Sequence, residues 1–223
     1  MQENQIAQDL VYTLTATVDG NICFAAKLSG LHRSDDGGES WYPINLTPED
    51  SNPLTVTAIA TAIGTDDALH LFAGVHGGVF ISKDTGITWT PIGLLSPPPF
   101  VTALAMSPNY IADGIALAST LEDGVFRTDD FGRTWQQWGF GLFDHNVLGL
   151  VIAPDFSRSK AVYALTETGI YYSQNTGRSW QVTDFPAEAA PILCMAISPA
   201  FAQDGRLYCG TEADGLYCSD DRG

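Results

Sequence analysis

The sequence predicts an all-β fold built from repeated antiparallel sheets, and three observations support this. An eight-residue pattern, Ser/Thr-x-Asp-x-Gly-x-Ser/Thr-Trp, called the box below, recurs along the chain. Short runs of β-branched and aromatic residues, separated by Gly, Pro, Asn and Asp, lie between the boxes. No stretch has the 3.6-residue period of an amphipathic helix. Each interval between boxes is therefore expected to hold one small antiparallel sheet.

Composition and charge limit the classes of protein and partner. The chain has 223 residues, 45% of them hydrophobic, and 26 acidic against 10 basic side chains give a formal net charge of −16. Such a chain can bury a core, and no apolar run approaches the roughly 20 residues of a membrane span. An acidic surface repels polyanions, so nucleic acid and anionic membranes are poor partners. Residues 1–9 lack a secretory signal, which predicts a cytoplasmic protein or a trimmed exported one.

The boxes recur with a nearly constant spacing. Their first residues lie 48, 46, 45 and 46 positions apart, and the fifth box ends at its glycine. In turns, Asp and Ser/Thr side chains bond the backbone, and Gly accepts a positive φ. We therefore assign the box residues a structural role and no ligand. The patterned residues are Ser34, Asp36, Gly38 and Trp41; Ser82, Asp84, Gly86 and Trp89; Thr128, Asp130, Gly132 and Trp135; Ser173, Asn175, Gly177 and Trp180; and Ser219, Asp221 and Gly223.

This pattern resembles the Asp-box, or BNR repeat, of sialidases, sortilin-type receptors, some xyloglucan-cleaving glycosidases and photosystem assembly factors. The resemblance spans essentially the whole chain. It implies a β-propeller in which each box is the turn between strands three and four of a blade, with the box Trp filling the gap between sheets. We expect a single propeller domain over residues 1–223, with inner strands near 54–62, 100–106, 146–152 and 191–197. The predicted blades cover about 10–46, 54–93, 100–139, 146–184 and 191–223, with 1–9 added to the last.

The two ends of the chain predict how the ring closes. The fifth box stops at Gly223, before its hydroxyl residue and Trp, whereas the N-terminal residues align just after a box Trp. Pairing of Asn4 to Gln8 with Gly215 to Ser219 would complete a fifth blade and remove its exposed edge. A closed ring predicts a monomer. The competing interpretation is a fragment of a larger propeller, which predicts strand-exchanged oligomers.

A candidate ligand mouth lies on the face that carries the hairpins between strands two and three and the loops between blades. Ionisable residues in these loops form a collar that would attract a cation, an amine or a basic protein segment. The alternative is that hairpin tips of an acidic chain are polar because they are solvated. The residues of this candidate mouth are His76, Glu122, Asp123, Asp144, His145, Glu167, Glu212 and Asp214.

Aromatic residues near the same loops offer a second way to hold a ligand. They could stack on sugar rings or peptide side chains, but packing between blades is the interpretation favoured by the sequence. These residues are Phe100, Trp138, Phe140, Phe143 and Phe185.

No catalytic residues, cofactor or metal ligands are predicted. Sialidases of this repeat family use an arginine triad, an Arg-Ile-Pro type motif and a Tyr–Glu pair with an Asp. In this sequence only Arg158 and Arg206 lie outside the boxes and the strands before them, which is too few for the triad. The four histidines lack metal-site spacing, and no G-x-S-x-G motif is present. A glycosidase with two carboxylates stays open, with Glu122 and Glu167, or Glu167 and Glu212, as the pairs to check.

The four cysteines lack the C-x-x-C pairs of zinc or redox sites. A two-residue turn at Ala213-Asp214 would place Cys209 and Cys218 opposite each other on adjacent strands, where they could form a disulfide. A pair of reduced residues is the favoured alternative. Cys194 is expected on an inner strand, packed near the propeller axis.

Together these observations favour a non-catalytic interaction scaffold that binds a protein, peptide or glycan at an acidic mouth. The alternatives are a glycoside hydrolase-like protein, active or degenerate, and a fragment of a larger propeller.

Overall fold

The computed structural model describes residues 9–17, 19–47, 54–65, 68–94 and 99–223. Within these ranges the chain forms five antiparallel sheets, and the order of strands in each sheet follows the chain. Among the described residues, no helix has the length and apolar character needed to cross a membrane.

Each sheet is one blade of a β-propeller. Blade 1 contains β1 (Val11–Ala16), β2 (Cys23–Lys27), β3 (Gly30–Ser34) and β4 (Tyr42–Ile44). Blade 2 contains β5 (Val56–Ile63), β6 (Leu69–Val75), β7 (Gly78–Ser82) and β8 (Thr90–Ile92). Blade 3 contains β9 (Phe100–Met106), β10 (Ala116–Leu121), β11 (Val125–Thr128) and β12 (Gln136–Gln137). Blade 4 contains β13 (Val147–Ile152), β14 (Val162–Thr166), β15 (Ile170–Ser173) and β16 (Gln181–Val182). Blade 5 contains β17 (Ile192–Ile197), β18 (Leu207–Thr211) and β19 (Leu216–Ser219).

The inner strands of consecutive blades pack against one another in the order β1, β5, β9, β13 and β17. The last four of these confirm the inner strands expected from the sequence, each within two residues. Hydroxyl groups join neighbouring inner strands: Thr57 Oγ1 donates to Val101 O over 2.6 Å. The core lies between the blades, which explains why β6 is buried along its whole length.

Each box forms the turn that follows strand three, and its side chains close the turn. In the second box, Ser82 Oγ donates to Asp84 Oδ1 over 2.8 Å and accepts from Gly86 N over 2.8 Å. Asp84 in turn accepts from the backbone N–H of Thr88 over 2.9 Å and from its hydroxyl over 2.5 Å. The first, third and fourth boxes repeat this arrangement, so the pattern is explained by local hydrogen bonding.

Three single-turn helices, α1 (Tyr110–Asp113), α2 (Phe156–Ser159) and α3 (Phe201–Asp204), connect strands one and two in blades 3 to 5. The sequence predicted only a turn at each of these connections. Because of these short helices, the fold is nearly all-β. Four residues are too short to show a helical period. In the first connection, Ser107 Oγ donates to Asp113 Oδ2 over 2.6 Å, and Gly114 ends the helix with φ +60°.

The described part of blade 5 has three strands, and none of the described strands pairs with the outer edge of β19. Asn4 to Gln8, which were expected to fill this place, lie outside the described residues. Ring closure by these residues therefore stays a prediction.

The alternative that places Cys209 opposite Cys218 is wrong. Cys209 lies opposite Tyr217, and Cys218 lies opposite Tyr208, so the two cysteines point to opposite faces of the sheet. The cause is the turn, because Thr211 N bonds Gly215 O over 2.9 Å and leaves three residues between them instead of two. All four cysteines are free thiols. Cys194 does lie on inner strand β17, but it is exposed rather than packed.

Candidate functional site

The propeller has a loop face and a box face. The hairpins between strands two and three meet the beginnings of the inner strands at one end of the blades; in blade 4, for example, Thr166 pairs with Val147. The boxes follow strand three and therefore lie at the other end. The loop face carries the predicted mouth residues.

An open groove of about 600 Å³ lies on the loop face between blades 3 and 4. It is called the loop-face groove below. Four of the predicted mouth residues line it: Glu122, Asp144, His145 and Glu167. Four other residues complete the lining: Phe143, Asn146, Thr168 and Tyr171.

Asn146 joins the two blades across the loop-face groove. Its Oδ1 accepts a hydrogen bond from the backbone N–H of Glu122 over 3.1 Å, and its Nδ2 donates to Glu167 Oε2 over 3.3 Å. One amide thus fixes the hairpin of blade 3 and a carboxylate of blade 4. No pattern in the sequence indicates this role, because the role depends on the meeting of loops from two blades.

Asp144 holds the loop before β13 in place. Its Oδ1 accepts from Asn146 N over 3.0 Å, and its Oδ2 accepts from Thr168 N over 3.1 Å and from Thr168 Oγ1 over 2.7 Å. Partial burial opposes the charged form of Asp144, but these hydrogen bonds outweigh it and hold its pKa below the usual value. The Asp144 carboxylate is therefore occupied by the fold, which leaves Glu122 and Glu167 as the acids that face solvent.

Glu122 has a strained backbone. Its φ of +73° lies in the left-handed region, which costs a residue other than glycine about 1 kcal/mol. The side chain is exposed, and its carboxylate accepts no hydrogen bond from the part of the chain that the structure describes. A charged group thus stands at a turn position where glycine would be less strained.

Two of the loop aromatics are exposed rather than packed between blades. Phe143 is 86% exposed and Phe140 is 83% exposed, so packing, the role favoured by the sequence, is wrong for both. Phe143 lines the loop-face groove beside the acidic residues. Phe185, in contrast, packs edge-on against Tyr217 with ring centres 5.1 Å apart.

The other predicted mouth residues lie elsewhere on the loop face. The ring of His76 lies 6.2 Å from that of Phe100, beside the hairpin of blade 2. Asp123 accepts from Gln137 Nε2 through its backbone oxygen over 2.7 Å. Glu212 and Asp214 form the hairpin tip of blade 5, where Asp214 accepts from the Tyr217 hydroxyl over 2.5 Å. The loop face is therefore acidic beyond the groove, but these residues do not line it.

No cluster of metal-ligating side chains is found among the described residues, and two arginines form local ion pairs. The described residues contain no group of three or more His, Cys, Asp and Glu side chains that could hold a metal ion. Arg127 is buried and bonds Asp129 over 2.8 Å, and Arg33 bonds Asp35 over 2.7 Å. These two arginines therefore stabilise the neighbourhood of their boxes. A second cavity, of about 340 Å³, lies between blades 4 and 5, where Tyr163, Cys209 and Ser219 are among the residues that line it.

Comparison with known proteins identifies the fold of this chain but assigns the chain to no family. Neither a family model nor a curated protein sequence matches the chain. Solved structures of similar fold include the following three. An ancestral GH74 enzyme shares 22% sequence identity with a TM-score of 0.74, over 96% of this chain and 30% of that one. YCF48 bound to D1 peptide shares 17% identity with a TM-score of 0.68, over 96% of this chain and 64% of that one.

The third is the extracellular domain of BT4673 from B. thetaiotaomicron, with 16% identity and a TM-score of 0.68 over the whole of this chain and 28% of that one. This protein therefore has a propeller fold and spans less than two thirds of each of these three chains.

Proposed function

We propose that this protein is a non-catalytic binding scaffold that holds a protein or peptide segment at its loop face. The observation that carries the proposal is the loop-face groove, where Glu122 and Glu167 lie beside the exposed ring of Phe143. Hydrogen bonds of Asn146 and Asp144 hold its wall in place before any ligand binds. A preformed site binds with a smaller loss of conformational entropy.

The chemistry of the loop-face groove favours a basic segment. A Lys or Arg side chain can form charge-assisted hydrogen bonds with Glu122 and Glu167, and its cation can lie over the ring of Phe143. The net charge of −16 raises the local concentration of such a partner. The peptide bound to YCF48, a propeller of similar fold, supports a peptide as the partner class here.

Fluorescence anisotropy with labelled peptides tests this proposal. Peptides rich in Lys and Arg with interspersed aromatic residues are expected to bind, and acidic peptides of the same length are not. Glu122→Gln and Glu167→Gln are each expected to weaken binding at least about tenfold, because a charged hydrogen bond contributes about 1.5–3 kcal/mol. Glu122→Gly is expected to weaken binding while preserving the fold, because glycine relieves the backbone strain.

Glu39→Gln is the matched control, since it removes the same charge from an exposed residue of the first box, on the box face. It is expected to leave binding unchanged. Equal losses of peptide affinity in Glu39→Gln and Glu167→Gln would show that the effect arises from net charge. They would contradict the loop-face groove as the binding site. Binding of a glycan panel without basic peptide binding would also contradict a peptide partner.

A glycoside hydrolase is the second candidate, favoured by one observation. Glu122 and Glu167, the pair singled out in the sequence, line the same groove on neighbouring blades, and glycosidases use two carboxylates on either side of the scissile bond. Hydrolysis of a sialoside or β-glucan substrate that is lost in both Glu122→Gln and Glu167→Gln would establish this function in place of the scaffold.

A further inference from the structure

Two blades carry the same ion pair beside their box. The residue before the box is an arginine, and the second box residue is an aspartate. Arg33 bonds Asp35 over 2.7 Å in blade 1, and Arg127 bonds Asp129 over 2.8 Å in blade 3. The next blade adds to the second pair, because Arg178, the sixth residue of the fourth box, lies 3.6 Å from Asp129. The Asp129 carboxylate thus has a guanidinium partner on each of two neighbouring blades.

Blade 2 lacks this ion pair, because both of its members are replaced. Ile81 stands at the position of the arginine before the box, and Lys83 stands at the position of the aspartate. Arg133, the sixth residue of the third box, corresponds to Arg178 of the fourth. The boundary between blades 2 and 3 therefore has two cations where the next boundary has a cation and a carboxylate.

These two cations line one groove of about 370 Å³ between blades 2 and 3, called the cation groove below. Both are exposed, and neither Lys83 nor Arg133 forms an ion pair or a side-chain hydrogen bond with any residue that the structure describes. Asp84 also lines the groove, but its carboxylate already accepts hydrogen bonds from Ser82 and Thr88 of its own box. Like charges at one groove repel each other, and an anion between them relieves that repulsion.

The rest of the cation groove suits a small organic ligand. Ile81 and Ile92 contribute apolar side chains to its lining. Thr90 adds an exposed hydroxyl group that makes no hydrogen bond within the described ranges. The net charge of −16 repels polyanions, so a ligand with a single anionic group is favoured over an acidic chain.

We propose that the cation groove binds a small organic anion, with a carboxylate or phosphate group held between Lys83 and Arg133. In this arrangement the anionic group takes the place that the Asp129 carboxylate fills at the next boundary, and the carbon skeleton of the ligand lies against Ile81 and Ile92. Lysine and arginine form charge-assisted hydrogen bonds with both kinds of anionic group. The proposal is independent of the loop-face groove, whose proposed ligand is cationic.

NMR titration of the isotope-labelled chain with butyrate and with butyl phosphate tests this inference, at fixed ionic strength in a buffer free of both groups. Saturable shifts of the amide signals of Lys83, Thr90 and Arg133 are expected with at least one of the two ligands, and the tighter ligand identifies the anionic group. Butylamine has the same carbon chain and the opposite charge, so it is expected to cause none of these shifts. Absence of saturable shifts in the cation groove with both anions overturns the proposal.

Neutral substitutions test the two cations separately. Lys83→Gln and Arg133→Gln are each expected to weaken anion binding at least about fivefold, because each removes a charge-assisted hydrogen bond. Arg158→Gln is the matched control, since it removes the same charge from an exposed residue of α2 that does not line the cation groove. It is expected to bind like the wild type. Equal losses in all three variants would arise from net charge and would overturn the cation groove as the site.

Lys83→Asp gives the sharpest result, because it rebuilds the arrangement of Asp129 with a carboxylate of the chain itself. The variant is expected to lose anion binding and to melt at a higher temperature than Lys83→Gln, since Arg133 gains the kind of partner that Arg178 has. The wild type is expected to melt at a higher temperature as the anion is added. A Lys83→Asp variant that is less stable than Lys83→Gln overturns the proposal, because the place beside Arg133 would then not favour a carboxylate.

Discussion

Each box carboxylate accepts several hydrogen bonds inside its own turn, and these bonds favour its charged form. Burial opposes the charge on Asp84 and Asp130, but bonds from the Ser or Thr residues of their boxes outweigh it and lower the pKa of both carboxyls. In the fourth box, Asn175 replaces the aspartate, and its Oδ1 still accepts a hydrogen bond from the backbone N–H of Ser179 over 2.9 Å. The turn therefore needs an oxygen acceptor at this position. Only the boxes that carry an aspartate there are sensitive to pH.

The lowered pKa values predict a loss of stability in acid. Asp84 and Asp130 have lower pKa values in the folded state than in the unfolded chain, where an aspartate titrates near about 3.9. Their contribution is complete above that value and is lost as the pH falls through the lower, folded pKa. The urea midpoint is expected to be level from about pH 7 to pH 5 and to decrease below about pH 4.

Asp84→Asn supplies the control for this prediction, since the fourth box shows that an amide fits the turn. The variant is expected to be folded at neutral pH and to lose less stability than the wild type in acid. Parallel losses in the two proteins would show that other carboxyls control the acid transition.

Packing between blades predicts a difference between two glycines with similar backbones. Gly132 and Gly38 have φ of +78° and +96°, so alanine is strained at both. Only Gly132 is covered, because its Cβ would lie 2.6 Å from Ile81 Cδ1. Gly132→Ala is therefore expected to lower the free energy of unfolding by about 1–3 kcal/mol more than Gly38→Ala, the cost typical of overpacking.

Urea unfolding of the two variants at low protein concentration measures this difference. Equal losses would mean that Gly38 is also covered, as it would be if the five blades closed into a ring within one chain. The comparison thus also tests ring closure.

The elements that sequence predicted are those fixed by local interactions. The box turns depend on side chains within eight residues of one another, and the inner strands are apolar runs that end at clear breaks. The single-turn helices escaped prediction because α1, at Tyr110–Asp113, is shorter than two helical turns. The alternative that places Cys209 opposite Cys218 was wrong by one residue, since one extra residue in a turn moves a side chain to the other face.

The candidate site was predictable only in part, for a related reason. The acidic hairpin tips are visible in the sequence, and the structure brings Glu122 and Glu167 to one groove. The role of Asn146 requires two blades to meet, and the exposure of Phe143 depends on the path of an interblade loop. Interactions that join separate repeats leave no pattern within a single repeat.

The molecule as a whole carries a net charge of −16, which favours a positively charged partner. A basic peptide at the loop-face groove gains from this attraction. Salt screens the attraction, with a screening length of about 10 Å at 0.1 M. Peptide binding should therefore weaken as the salt concentration rises.

Raising the salt concentration from low to high is expected to weaken binding of a Lys- and Arg-rich peptide, because its attraction to Glu122 and Glu167 is screened. Fluorescence anisotropy over a series of salt concentrations measures this response. Peptide binding that is insensitive to salt would contradict an ionic interaction in the loop-face groove.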